Sequence, residues 1–186
     1  MSEVSAAAEP QGARREQRWL PVLIVTALIV VVAGGARTFA DATAGSTGPI
    51  TLGSVRVQPQ PGWQVEGPVQ PSAVRLHRGP VVLDVFAGGS FPGGPAALAA
   101  TYLDERLLPA FARIVHSDFD RALVVAGAPA VSFTYVGVTT DGVPIEGIVV
   151  AADTTDASAV FDARAPKGEL ANAIEDVRTM IDGAVI

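Results

Sequence analysis

Residues 130–138 read AVSFTYVGV, residues 143–152 read VPIEGIVVAA and residues 157–165 read ASAVFDARA, joined by Thr140-Asp141-Gly142 and Thr154-Thr155-Asp156. Each run is rich in β-branched, aromatic and small apolar residues, and each joint carries turn-forming residues, so the stretch reads as consecutive strands. In the first strand Val131, Phe133 and Tyr135 share one face, because side chains alternate along a strand. Directly afterwards Leu170, Ile174, Val177 and Ile181 recur at helical spacing, and Gly183 is placed to end that helix.

Upstream, Ile50 and Leu52, then Val55 and Val57, give a strand broken near Gly53, followed by a Pro61-Gly62-Trp63 turn. Val74 and Leu76 alternate with Arg75 and His77; Arg78-Gly79-Pro80 then turns the chain into residues 81–86, which predicts a hairpin. After a Gly/Pro loop at 88–95 the period changes: Leu103, Leu107, Phe111 and Ile114 fall on one helical stripe, with Pro109 expected to kink or end the helix. A short strand is expected at 123–126. Helices separated by runs of antiparallel strands give an α+β class, an antiparallel sheet with packed helices, rather than α/β. No internal repeat of fixed period is found.

The N-terminal quarter has a different composition. Residues 19–36, WLPVLIVTALIVVVAGGA, carry no charge and would make roughly 27 Å of helix, close to the hydrocarbon thickness of a bilayer. Pro21 falls in the first turn, where its missing N–H matters least, and Trp19 suits the interface. Arg14, Arg15 and Arg18 before the span, against Arg37 after it, predict a cytoplasmic N-terminus and an extracytoplasmic C-terminal domain. The competing reading is a cleaved signal peptide ending at Ala40-Asp41-Ala42, which leaves the location unchanged; the length of the apolar run favours an anchor. The expected organisation is therefore a disordered tail at 1–18, a single transmembrane helix at 19–36, a linker at 37–49 and one domain at 50–186.

The 186 residues hold 13 Lys and Arg against 19 Asp and Glu, a net charge of −6, and no cysteine. The acidic balance disfavours nucleic acid as a partner, since phosphate binding needs a basic patch. The missing cysteine excludes disulfides, thiolate metal sites, a thiol nucleophile and a lipid-anchoring lipobox.

The strand into Pro61-Gly62-Trp63, the Gly127-Ala128-Pro129-Ala130 start of a long strand, the strand containing Gly147, Phe161 followed by Pro166, and the closing helix through Val177 and Ile181 carry a resemblance. Residues 50–186 resemble the PsbP-like α/β/α sandwich, and within it the LpqN-type branch of actinobacterial cell-surface proteins. That resemblance implies a non-catalytic module that binds or assists assembly at a membrane surface; the partner expected of such a module here is an envelope protein or an apolar envelope component. It brings no catalytic residues with it, and here a peptide anchor would replace the lipid.

Candidate chemistry is sparse. Gly88, Gly89, Phe91 and Gly93 lie in a loop between a strand and a helix, where free N–H groups can hold an anion; Pro92 and Pro95 remove two donors, and no P-loop Lys-Ser/Thr follows. The loop reads either as a flexible crossover or as a ligand loop presenting Phe91. Trp63 reads either as a core residue beside a turn or as an aromatic anchor for a partner. His77 is expected on a polar strand face. His116, Asp118 and Asp120 could gather around a divalent cation or serve a small hydrolase, although their spacing is equally that of a polar connection. Asp84, between Leu83 and Val85, is expected in a salt bridge or on an outer face. Asp153 and Asp156 are expected in turns, and Asp162 on a solvated strand face. No catalytic set, metal or cofactor is expected.

Overall fold

The computed structural model describes residues 48–186. The expected tail at 1–18, the apolar span at 19–36 and all but the end of the linker lie outside the described residues. Among the described residues, no helix is long and apolar enough to cross a membrane.

The chain begins with a hairpin of β1 (Ile50–Leu52) and β2 (Val55–Val57), turned at Gly53. An eight-stranded antiparallel sheet follows: β3 (Gln64–Gln70), β4 (Ala73–Arg78), β5 (Val81–Gly88), β6 (Phe111–His116), β7 (Asp120–Val125), β8 (Ala128–Thr139), β9 (Pro144–Asp153) and β10 (Ser158–Pro166). Its order is β3-β4-β5-β10-β9-β8, with β6 and β7 both pairing β8 along one edge. Between β5 and β6 runs α1 (Gly94–Tyr102), a π-helical turn (Leu103–Leu107) and the short α2 (Leu108–Ala110). The chain closes with a 3₁₀ turn (Leu170–Asn172) and α3 (Ile174–Asp182).

Two cores lie on opposite faces of the sheet because the strands alternate. Val150, Ala152, Phe161 and Ala163 point to the face covered by α3 and the β1-β2 hairpin, where Val177, Met180 and Ile181 pack. Val131, Phe133, Tyr135, Val149 and Val160 point to the other face, under Ala99, Leu103 and Leu107 of the α1 layer. The result is a three-layer α/β/α sandwich, as expected. The hairpin is fastened to the C-terminus by paired backbone bonds between Arg56 and Val185, at 2.8 and 2.9 Å.

The expected hairpin of β4 and β5 and the meander of β8, β9 and β10 are present, as is the short strand that becomes β7. Two expectations need correction, and one strand was not foreseen. Phe111 and Ile114 belong to β6 and not to a helix: the helical run stops one residue after Pro109, and Phe111 turns to an extended conformation to pair with the free edge of β8. Helical spacing there was coincidental, since FARIVH also suits a strand that hydrogen bonds an exposed edge. β3 answers to no expectation from the sequence: Gly67 and Pro68 interrupt it, and as the outermost strand it tolerates both, with its register shifting between Glu66 and Gln70. Leu170 packs against the core but precedes the final helix, which begins at Ile174. Glu175 and Asp176 in its first turn suit the positive end of the helix dipole, and Gly183 follows its last residue.

Candidate functional site

The loop between β5 and α1 is tied down along its length. The Ser158 hydroxyl donates to the Gly89 carbonyl (2.7 Å), the Phe91 N–H donates to Asp153 Oδ1 (2.8 Å), and the Gly94 N–H donates to the Phe91 carbonyl (3.0 Å). Asp153 thus supplies from within the chain the negative charge that such a loop could take from a ligand. Gly93, at φ +92°, leaves no room for a side chain, whose Cβ would lie 2.9 Å from that of Ala97. Phe91 is half-buried, and Pro92 and Gly93 are exposed. Gly88 ends β5 and Gly89, Phe91 and Gly93 follow in the loop, so these four are neighbours, and Trp63 is elsewhere. Trp63 is 5% exposed within the core under α3; its Nε1–H donates to Asp176 Oδ2 at 3.2 Å, and the Arg78 guanidinium lies 5.8 Å from the ring centre while pairing with the same carboxylate.

His116 ends β6, with Nδ1 2.8 Å from the Ser117 carbonyl and its ring 5.9 Å from that of Phe133. Asp118 follows in the connection and Asp120 opens β7. Among the described residues no group of three or more His, Asp and Glu side chains comes together as a metal site. His77 stands in β4 opposite Gln64 and Val82 and is half-buried.

A more organised polar cluster sits under the α1 layer. On that face Arg75, Asp84 and Asp162 form one cross-strand row through β4, β5 and β10, with Arg164 two residues along from Asp162. Arg75 grips Asp84 with Nε at 2.6 Å and Nη2 at 3.0 Å. Arg164 reaches Asp84 with Nη2 (2.7 Å) and Asp162 with Nη1 (2.8 Å). Two hydroxyls complete Asp162: Tyr135 donates at 2.7 Å and Tyr102 at 2.9 Å. Asp84 meets its expectation of an ion pair. Asp162 does not lie on a solvated face; it is fully buried, because α1 and the π-helical turn cover this end of β10.

Glycine makes the arrangement possible. Tyr135 lies across Gly147 of the neighbouring strand, and a Cβ there would come within 2.3 Å of its Cζ. Gly137 is likewise roofed by Phe111, which meets the Tyr135 ring edge to face at 5.7 Å. The π-helical turn places Leu103 and Leu107 inward beside Tyr102 and sets the exposed Arg106 against the Phe86 ring.

Electrostatically, burial pushes the Asp162 carboxyl above the ordinary carboxylate range, with Arg164 and the two hydroxyls pulling the other way. Burial and then the Asp162 charge hold both tyrosines well above their usual value, so they serve as donors. Burial opposes the charge on Arg164, but Asp162 and Asp84 outweigh it and hold the guanidinium charged. The hydrogen bond to Asp84 does the same for Arg75. All three donors aimed at Asp162 suit a carboxylate, and the cluster reads as fixed charge rather than a proton relay.

The cluster forms the floor of a cavity of about 300 Å³, walled by Phe86, Leu107, Phe111 and Ile145, with Arg75 and Arg106 at its sides. Sequence reasoning missed Tyr102, Tyr135, Asp162 and Arg164 as a group. Its one visible signal is the pair Asp162 and Arg164, two charges on the same face of an otherwise apolar strand.

No protein-family model matches the sequence, and no curated protein sequence matches it. Among solved structures the fold is similar to that of LpqN, described as involved in cell envelope biogenesis of Mycobacterium tuberculosis: TM-score 0.52 at 9% identity, covering 76% of this chain and 86% of that one. A crystal structure from Bacteroides thetaiotaomicron gives a TM-score of 0.48 at 9% identity over 73% of this chain, which spans 46% of that longer protein. The solution structure of cyanobacterial PsbP (CyanoP) from Synechocystis gives 0.47 at 11% identity, covering 77% of this chain and 98% of that one. The likeness to LpqN agrees with the fold that the sequence resemblance implied.

Proposed function

We propose that this chain is a membrane-anchored, extracytoplasmic, non-catalytic binding or assembly module of a cell envelope. The observation that carries the reading is how the buried polar groups are used. Asp84 and Asp162 accept hydrogen bonds from Arg75, Arg164, Tyr102 and Tyr135, so their charges are fixed in place, and no histidine, serine or lysine lines that cavity. Such a site is suited to binding: the Tyr102 hydroxyl is committed to Asp162, and no histidine in the lining stands ready to activate the Thr139 hydroxyl. The fold shared with LpqN, a protein described as involved in envelope biogenesis, supports the envelope setting. The uncharged span at 19–36 and the preceding arginines support an anchor with the N-terminus inside. The partner is an envelope protein or an apolar envelope component, contacted through the loop that carries Gly88, Gly89, Phe91 and Gly93; the net charge of −6 argues against nucleic acid.

The test is made on native membranes. The full chain should stay in the membrane pellet after carbonate washing, and its C-terminal domain should be cleaved by protease added from outside. A photo-crosslinking amino acid at Phe91 should capture a discrete envelope component that the same group at exposed Thr179 does not. Release of the chain by carbonate, or protection of the domain from external protease, would overturn the anchored reading; identical capture from both positions would overturn the loop as the contact.

A further inference from the structure

We propose that the cavity beneath the π-helical turn binds a compact amphipathic monoanion, an apolar body bearing one carboxylate, with Arg106 and Arg75 receiving the carboxylate and Phe86, Phe111 and Ile145 receiving the body. The proposal rests on the non-catalytic binding reading above and names a ligand class for it. Three guanidiniums and two carboxylates meet at this cavity. Arg164 is committed to Asp84 and Asp162, and Arg75 commits Nε and Nη2 to Asp84. Among the described residues Arg106 has no carboxylate partner; its guanidinium lies 5.7 Å from the centre of the Phe86 ring. The two acids in the cavity are thus matched by Arg75 and Arg164, and Arg106 leaves one positive charge in excess at the side of an otherwise acidic protein. Asp104 and Glu105 precede Arg106 in the chain, but neither lines the cavity.

The chemistry of that excess selects the ligand. A cation would meet carboxylates whose accepting positions are already taken by six short contacts from Arg75, Arg164, Tyr102 and Tyr135. An anion would meet Arg106 and the side of Arg75 facing away from Asp84, and the Arg75 side chain is 45% exposed and open to a ligand. A guanidinium carried against an aromatic ring keeps its edge donors available for a carboxylate. The walls of Phe86, Leu107, Phe111 and Ile145 favour an apolar body, and about 300 Å³ is at the small end of ligand cavities, which favours a compact one. The π-helical turn is what brings Arg106 to the cavity while Leu103 and Leu107 stay buried.

The probes are 2-naphthoate, its neutral counterpart 2-naphthylmethanol, and acetate, titrated into the full chain and followed by ligand-observed NMR. Naphthoate is expected to bind saturably, about tenfold or more tightly than naphthylmethanol, and acetate is expected not to bind measurably. Arg106→Leu should weaken naphthoate about tenfold and leave naphthylmethanol unchanged, while Arg106→Lys restores much of the loss. Arg106 is exposed and makes no ion pair among the described residues, so neither variant should disturb folding, which circular dichroism checks. Phe111→Leu reports on the body and should weaken both aromatic probes. Equal binding of naphthoate and naphthylmethanol, naphthoate binding indifferent to Arg106→Leu, or no saturable naphthoate binding would each overturn the monoanion proposal while leaving the non-catalytic reading standing. Turnover of a bound probe into a new species would instead overturn the non-catalytic reading.

Discussion

Asp84 and Asp162 stand directly opposite each other on neighbouring antiparallel strands, and one guanidinium, that of Arg164, bonds to both. Like charges in directly opposed positions destabilise a sheet, so the pair exists only because Arg164 lies between its members and Arg75 closes the far side. Replacing Arg164 with Leu leaves two carboxylates facing each other, one of them fully buried. A loss of about 3–5 kcal/mol is expected by urea denaturation, with Arg164→Lys recovering only part, because an ammonium cannot fork between two acceptors. In the double variant Asp162→Asn with Arg164→Leu, the loss should be smaller than the sum of the two single losses.

The contact between Tyr135 and Gly147 gives a second prediction. A Cβ at position 147 would displace the ring and pull its hydroxyl off Asp162, so Gly147→Ala should cost about 1–3 kcal/mol, as overpacking does, with the lost hydrogen bond in addition. In a Tyr135→Leu background the same substitution should cost clearly less. Equal costs in both backgrounds would mean that the ring and the glycine do not constrain each other.

What the sequence disclosed follows from which forces are local. The strands through Phe133, Val149 and Phe161 and the helix through Val177 announce themselves because burial of one face imposes a period that composition records. β3 was hidden because an edge strand has one neighbour and little core to record: only Val65 packs against the core, Gln64, Glu66 and Gln70 are exposed, and Gly67 and Pro68 imitate a loop. The helix-to-strand switch at Phe111 was hidden because the decisive partner, the open edge of β8 from Tyr135 to Thr139, lies more than twenty residues away in sequence. The polar cluster is nonlocal in the same sense. Arg75, Asp84, Tyr102, Tyr135 and Arg164 belong to five separate elements, and only register brings them to Asp162.

Val177 tests the α3 layer. It is 1% exposed between the helix and the sheet, and a carboxylate there would have no partner in the apolar core. Val177→Asp should destabilise the domain by several kcal/mol, whereas Arg178→Asp, one residue on and exposed, should change stability by about 0.5 kcal/mol or less. Comparable melting temperatures for the two variants would mean that α3 does not hold the sheet.

Asp162 also predicts a pH dependence with a definite sign. Burial raises its folded-state pKa above the ordinary value of about 3.9 that it has in the unfolded chain. Between those two values the folded state keeps a proton that the unfolded state has released, so raising the pH favours unfolding. The stabilising contribution is complete below the ordinary carboxylate range and is lost as the pH rises through the folded-state value, at about 1.4 kcal/mol for each unit of displacement. Asp162→Asn has no such proton. Urea denaturation of both proteins from about pH 3 to about pH 8 should therefore show the stability of the wild type, relative to Asp162→Asn, declining with pH and then levelling once Asp162 is ionised in both states. A relative stability that rises with pH would reverse the sign: the Arg164 and tyrosine contacts would then outweigh burial, and the cluster would be held together by its charges rather than in spite of them.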